Sequence, residues 1–152
     1  MQQGELAAIF VGPQKRADLV AVDTVEAVSG KGLVGDRYYH QDGTFSGKPG
    51  PDREVTLVAI ESIDALAREC NITLQPAQIR RNLLTRGVAL NDLVNRQFTV
   101  GEVVMEGIRL CEPCAHLESL TCSGIQDGLR HRAGLRARII QGGILRCGDK
   151  IA

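Results

Sequence analysis

What most limits this chain is a succession of short apolar runs. Many are bounded by turn signals, and strand and helix never alternate regularly. Leu6–Val11 reads as a first strand and Val20–Val28, in partial alternation, as a second. A glycine loop, Ser29–Arg37, follows, and residues 40–53, rich in Gly, Pro and Asp, read as surface loop. Val55–Ile60 is a buried strand. Residues 61–70 have helical spacing, with Ile63, Leu66 and Ala67 on one face, and Asn71 is placed to end that helix. Ile79–Thr85 is expected as a strand carrying Arg80, Arg81 and Asn82. Phe98–Val100 and Val103–Leu110 read as a hairpin turning at Gly101-Glu102. Short helices are expected at 115–120 and 124–131, and Leu135–Ile151 reads as two strands folded about Gly142-Gly143. The sum is a mainly β, α+β domain spanning residues 1–152, barrel-like, with two or three short helices. With no Trp, three Phe and two Tyr, its core must be aliphatic.

Eighteen basic and eighteen acidic residues cancel, which argues against nucleic acid or a membrane surface as the main partner. Residues 1–11 lack the basic start and long apolar run of a signal peptide, and no run approaches the ~20 apolar residues of a membrane span. A cytoplasmic location is expected. The five cysteines, an odd and loosely spaced set, do not resemble a disulfide framework. Cys70, on the expected helix, and Cys147, in the expected terminal strand, read as small buried hydrophobes.

The segment Arg109-Leu-Cys-Glu-Pro-Cys-Ala-His-Leu117 is the most informative. A helix starting after Pro113 would set Cys114 near its N-terminus, where the dipole favours a thiolate, and Arg109 nearby would act in the same direction. Four readings compete: a buried cysteine pair, a zinc site from Cys111, Cys114, His116 and Cys122, a dithiol redox pair, or a single reactive Cys114 that binds a soft metal or carries sulfur. Flanking it are Arg80, Arg81, Arg130, Arg132, Arg136 and Arg138. On a strand, Arg80 and Asn82 would share one face and Arg81 the other, so one guanidinium would meet the core unless an anion satisfied it. Most single arginines, and His40 and His131, are otherwise ordinary surface groups. Asp36 and Arg37 either line a pocket or form a solvated turn. The glycine loop is not a P-loop, since Asp36-Arg37 stands where Lys-Ser/Thr is required.

Four blocks together resemble the MOSC domain, the module named from the C-terminal part of molybdenum cofactor sulfurase. They are Gly32-Leu-Val-Gly-Asp-Arg37 with Arg53-Glu-Val-Thr56; Arg80-Arg-Asn-Leu-Leu-Thr-Arg-Gly87; Gly101-Glu-Val103 leading to Cys111-Glu-Pro-Cys-Ala-His-Leu117; and Gly134-Leu-Arg-Ala-Arg-Ile-Ile-Gln-Gly-Gly143 with Gly148-Asp-Lys150. The resemblance implies a mostly β, barrel-like fold and a molybdenum cofactor (molybdopterin). It makes Cys114 the metal ligand and catalytic cysteine, or the carrier of a sulfur atom. It also implies that Arg80, Arg81, Asn82, Arg136, Arg138 and Asp36 help hold the cofactor and its phosphate. Cys111 is not the usual family cysteine. Three functions follow as expectations. One is an oxidoreductase module that reduces N-hydroxylated or related small molecules with electrons from a separate reductase. Another is a sulfur carrier that passes a Cys114 persulfide from a cysteine desulfurase to a metal–sulfur acceptor. The last is a noncatalytic, zinc-stabilised binding domain.

Overall fold

The computed structural model describes residues 4–12, 19–36, 54–111 and 132–152. Its strands are β1 (Gly4–Val11), β2 (Val20–Val22), β3 (Thr24–Val28), β4 (Gly32–Leu33), β5 (Val55–Ala59), β6 (Leu83–Arg86), β7 (Gln97–Val100), β8 (Val103–Leu110), β9 (Leu135–Gln141), β10 (Gly143–Arg146) and β11 (Lys150–Ile151). Among the described residues one α-helix, α1 (Ile60–Cys70), joins β5 to β6, and 3₁₀ turns form at Pro76–Ile79 and Leu90–Leu93. Among the described residues no helix is long and apolar enough to cross a membrane.

Eight strands form one mixed sheet in the order β11-β7-β8-β9-β5-β6-β1-β2. Its ladders are antiparallel apart from β5–β6, where Leu57 lies beside Leu83 in parallel. The short β11 pairs Ile151 with Val100 of β7, and also meets Gly4 and Glu5 of β1. The sheet thus curls until its edges touch through a two-residue strand, which makes it barrel-like without full closure. A smaller sheet, β10-β3-β4, packs Val25, Ala27, Leu33 and Leu145 against the same interior.

The core has two compartments because successive strand residues face opposite ways. Leu6, Leu57, Leu83, Met105, Leu135 and Ile139 fill the curled interior. Val58 and Leu84 face outward and are covered by Ile63 and Leu66 of α1. The helix stops where expected: Asn71 takes the left-handed conformation at φ 60°, and Ile72 N–H bonds back to Leu66 O.

Several expectations are corrected. Val20–Val28 is two strands, broken at Asp23. Residues 79–82 are not strand: Ile79 ends a 3₁₀ turn, Arg80 caps it at φ 65°, and the strand begins only at Leu83. The idea that Arg80 and Asn82 share a strand face therefore fails. The Gly142-Gly143 hairpin does not form either. β9 pairs with β5 and β8, whereas β10 pairs with β3, so the chain crosses between sheets at this point. A Cβ on Gly142 would strike the carbonyl oxygen of Ala27, which is why glycine sits at the crossing. Cys70 and Cys147 are exposed rather than buried, because Cys70 ends α1 away from its packed face and Cys147 lies in the turn between β10 and β11. The helices expected at 115–120 and 124–131 lie outside the described residues.

Candidate functional site

The parallel register of β5 and β6 sets Thr56 and Asn82, the residues just before Leu57 and Leu83, side by side at the amino end of this strand pair. Asn82, fully buried, uses its whole side chain there. Its Oδ1 accepts from Thr56 N–H at 3.0 Å and from the Thr56 hydroxyl at 3.1 Å. Its Nδ2 donates to Phe10 O at 3.2 Å and to Asp36 Oδ1 at 3.1 Å. The same Asp36 oxygen accepts from Gly12 N–H at 2.8 Å. Asp36 is also fully buried, so it belongs to a polar hub rather than to an open pocket wall. The hub fastens together the ends of β1, β5 and the turn after β4.

Arg81 is bound to backbone. Its Nε donates to Ala133 O at 3.0 Å, Nη1 to Ile79 O at 3.3 Å and Nη2 to Cys111 O at 3.4 Å. Cys111 N–H in turn donates to Gly134 O at 2.8 Å. One guanidinium thus clasps the two described stems that flank residues 112–131. Its rigid fork suits this, since donors on three nitrogens reach acceptors from three chain segments. Cys111 itself is buried.

Beyond the hub, cross-strand register extends a polar row over the outer face of the sheet. Thr56 pairs with Arg136, and Arg136 pairs with Arg109. Arg136 is only 8% exposed, and its Nε lacks a hydrogen-bond acceptor while other interactions engage the residue. The register thus sets two arginines side by side on this face. One step along, Arg138 sits opposite Glu106 and donates from Nε to its Oε1 at 2.7 Å. Glu54 completes this second row. Burial pushes its carboxyl above the ordinary value of 4.5, opposed by hydrogen bonds from Ile139 and Gly30 N–H and by the charge of Arg138; the Ile139 bond is 2.8 Å.

Of the residues singled out in the sequence, the structure brings Asp36 and Asn82 into contact and sets Arg81 on the Cys111 stem. Arg136 lies in the adjoining row and Arg138 one step beyond it. Arg80 holds the left-handed turn before them. Arg132 reaches Glu69 of α1 at 3.2 Å. Arg37, His40, Cys114, His116, Cys122, Arg130 and His131 lie outside the described residues. Among the described residues no group of three His, Cys, Asp or Glu could hold a metal ion. Thr56 and Glu54 were missed as site residues, although both stand in the block Arg53-Glu-Val-Thr56. A threonine and a glutamate inside an apolar strand signal are the clue, since each needs a buried partner.

A family model for the MOSC domain matches residues 42–152. No curated protein matches the chain in sequence. Among solved structures, the YuaD protein from Bacillus subtilis superposes with a TM-score of 0.82 at 14% identity, covering 99% of this chain and 97% of that one. YiiM from Geobacillus stearothermophilus gives 0.75 at 14% identity, covering 98% and 74%. YiiM from Escherichia coli gives 0.69 at 20% identity, covering 99% and 68%. At these identities the likeness is one of fold.

Proposed function

The chain belongs to the MOSC domain family, and from that premise we propose that it binds a molybdenum cofactor and reduces N-hydroxylated or related small molecules, with the Cys114 thiolate as metal ligand. The observation that carries this reading is the in-register pair Arg109–Arg136, placed beside the clasped Cys111 and Ala133 stems. A phosphate is the natural complement of neighbouring arginines, and Arg136, 8% exposed, stands in register with Arg109. The donor set therefore fits an anionic pterin group. Cys114 is three residues from Cys111 in the sequence. A thiolate is a soft ligand and suits such a metal.

When bound, the cofactor supplies two-electron chemistry that removes an oxygen atom from the substrate, and two protons carry it off as water. The chain's own residues bind and orient. Arg109 and Arg136 neutralise the phosphate. Arg81 fixes both stems of the cysteine segment, and the Asp36–Asn82–Thr56 hub holds the strand ends beneath them. Arg138 is held by Glu106 and adds positive charge at the margin. Electrons come from a separate reductase, and the reaction runs in the cytoplasm.

The test is elemental and pterin analysis of protein made in a cofactor-competent host. One molybdenum per chain is expected in the wild type, with loss in Cys114→Ser and weakened pterin retention in Arg136→Gln. Metal-free wild type, or equal molybdenum in Cys114→Ser, overturns the reading. A one-sulfur mass gain on Cys114 in metal-free protein, after incubation with a cysteine desulfurase, would assign sulfur carriage instead.

A further inference from the structure

The parallel pair β5–β6 also opens at its other end. At its carboxyl end lies a cavity of about 570 Å³, within the range of small-molecule sites. Ala59, the last residue of β5, and the Gly87–Asn91 loop after β6 form two walls. The first turn of α1, through Glu61 and Ser62, and the Arg132 and Gly134 stem form the others. Crevices beyond the carboxyl ends of parallel strands are a recurrent place for ligands, because the chain diverges there to enter a helix and a loop. Thr56 of the polar hub lies three residues back, about 10 Å along the strand.

We propose that this cavity binds a small, uncharged organic molecule with an apolar body and an amide-like polar end. Ala59, Val88, Ala89 and Leu90 offer the body an apolar wall. The two ionic groups at the cavity are both engaged. Glu61 Oε2 accepts from Gly87 N–H at 3.1 Å, and Arg132 Nη1 bonds both Glu69 oxygens at 3.3 and 3.2 Å. Arg132 is balanced by Glu69, the exposed Glu61 is screened by solvent and pulls only weakly on a cation, and an ion entering would lose water against the apolar wall. The Ser62 hydroxyl on the cavity lining can both donate and accept, which matches a neutral amide. The inference stands apart from the cofactor reading and needs no metal.

The experiment is a titration of the ¹⁵N-labelled full chain with benzamide, benzoate and benzamidinium, three molecules of one shape and different charge. Saturable shifts of the Ser62, Ala89 and Asn91 amide signals are expected with benzamide, at about tenfold higher affinity than with either ion. Ala89→Trp fills the cavity and Ser62→Leu removes its hydroxyl; each is expected to abolish those shifts while leaving the remaining spectrum dispersed. Ser62 lies on the helix surface, so this variant is informative even if Ala89→Trp fails to fold. Absence of saturable shifts with benzamide, equal or tighter binding of either ion, or unchanged benzamide binding in Ser62→Leu overturns the proposal.

Discussion

Asn82→Ala removes the centre of the polar hub, and its cost can be worked out bond by bond. The variant loses four side-chain hydrogen bonds, two accepted from Thr56 and one donated to each of Phe10 O and Asp36. The Thr56 hydroxyl can turn and keeps its bond from Asn82 N–H, and Asp36 keeps Gly12. The Thr56 N–H loses its acceptor in a fully buried site, and the Asp36 carboxylate gives up one of its donors. A buried orphan costs about 1–3 kcal/mol, and more when the group is charged. The expected loss is about 3–5 kcal/mol, a large part of the ~5–15 kcal/mol typical of a whole domain. Urea unfolding followed by circular dichroism reads it, since the chain has no Trp for fluorescence. At about 2 kcal/mol per molar the midpoint falls by roughly 2 M with the slope unchanged. Asn82→Asp is the control. It keeps the shape but sets a second carboxylate against Asp36, which raises the folded-state pKa of the new group. Its stability deficit is therefore full near neutral pH and narrows as pH falls through that raised pKa. A loss below about 1 kcal/mol in Asn82→Ala, or no pH dependence in Asn82→Asp, would refute the reasoning.

Arg81→Met removes three bonds to backbone carbonyls and is expected to cost about 2–4 kcal/mol, since bonds from a charged donor exceed neutral ones. Hydrogen exchange at Cys111 N–H, which donates to Gly134 O, should accelerate at least as much as the global unfolding rate predicts. Glu54 has its folded pKa raised by burial, so its protonation favours the native state: wild type should gain stability relative to Glu54→Gln as pH falls from neutral toward 4.5, and a gap that stays constant would show that burial does not dominate. Gly134→Ala should lower stability by about 2–3 kcal/mol by calorimetry, because φ is +122° and a Cβ there would strike the carbonyl oxygen of Leu57.

Most regular elements were legible without the structure. The apolar run before Ile60 is a strand buried on both faces, and Ile63 and Leu66 lie on the packed side of α1. Phe98–Val100 and Val103–Leu110 pair as the hairpin that their alternation around Gly101-Glu102 signals. These features depend on neighbours a few residues away, which periodicity and turn chemistry report directly. The family blocks likewise marked Asp36, Arg81, Asn82 and Arg136 as unusual before any of their contacts were visible.

The partners were not legible. Asp36 and Asn82 meet across 46 positions of chain, and Arg81 reaches Ala133 across 52. Arg80–Asn82 looked like strand because the stretch lies between Ile79 and Leu83, yet its left-handed turn and its hydrogen bonds to distant backbone hold it out of the ladder. Gly142-Gly143 carries the local signature of a hairpin, but two different sheets claim its flanking strands. Amino-acid order by itself determined which stretches would extend or coil and which side chains demanded burial or a polar partner, because those demands are local. Only the tertiary structure decided which distant groups meet them, because a buried hydrogen bond or ion contact is settled by whichever groups the packed chain brings within reach.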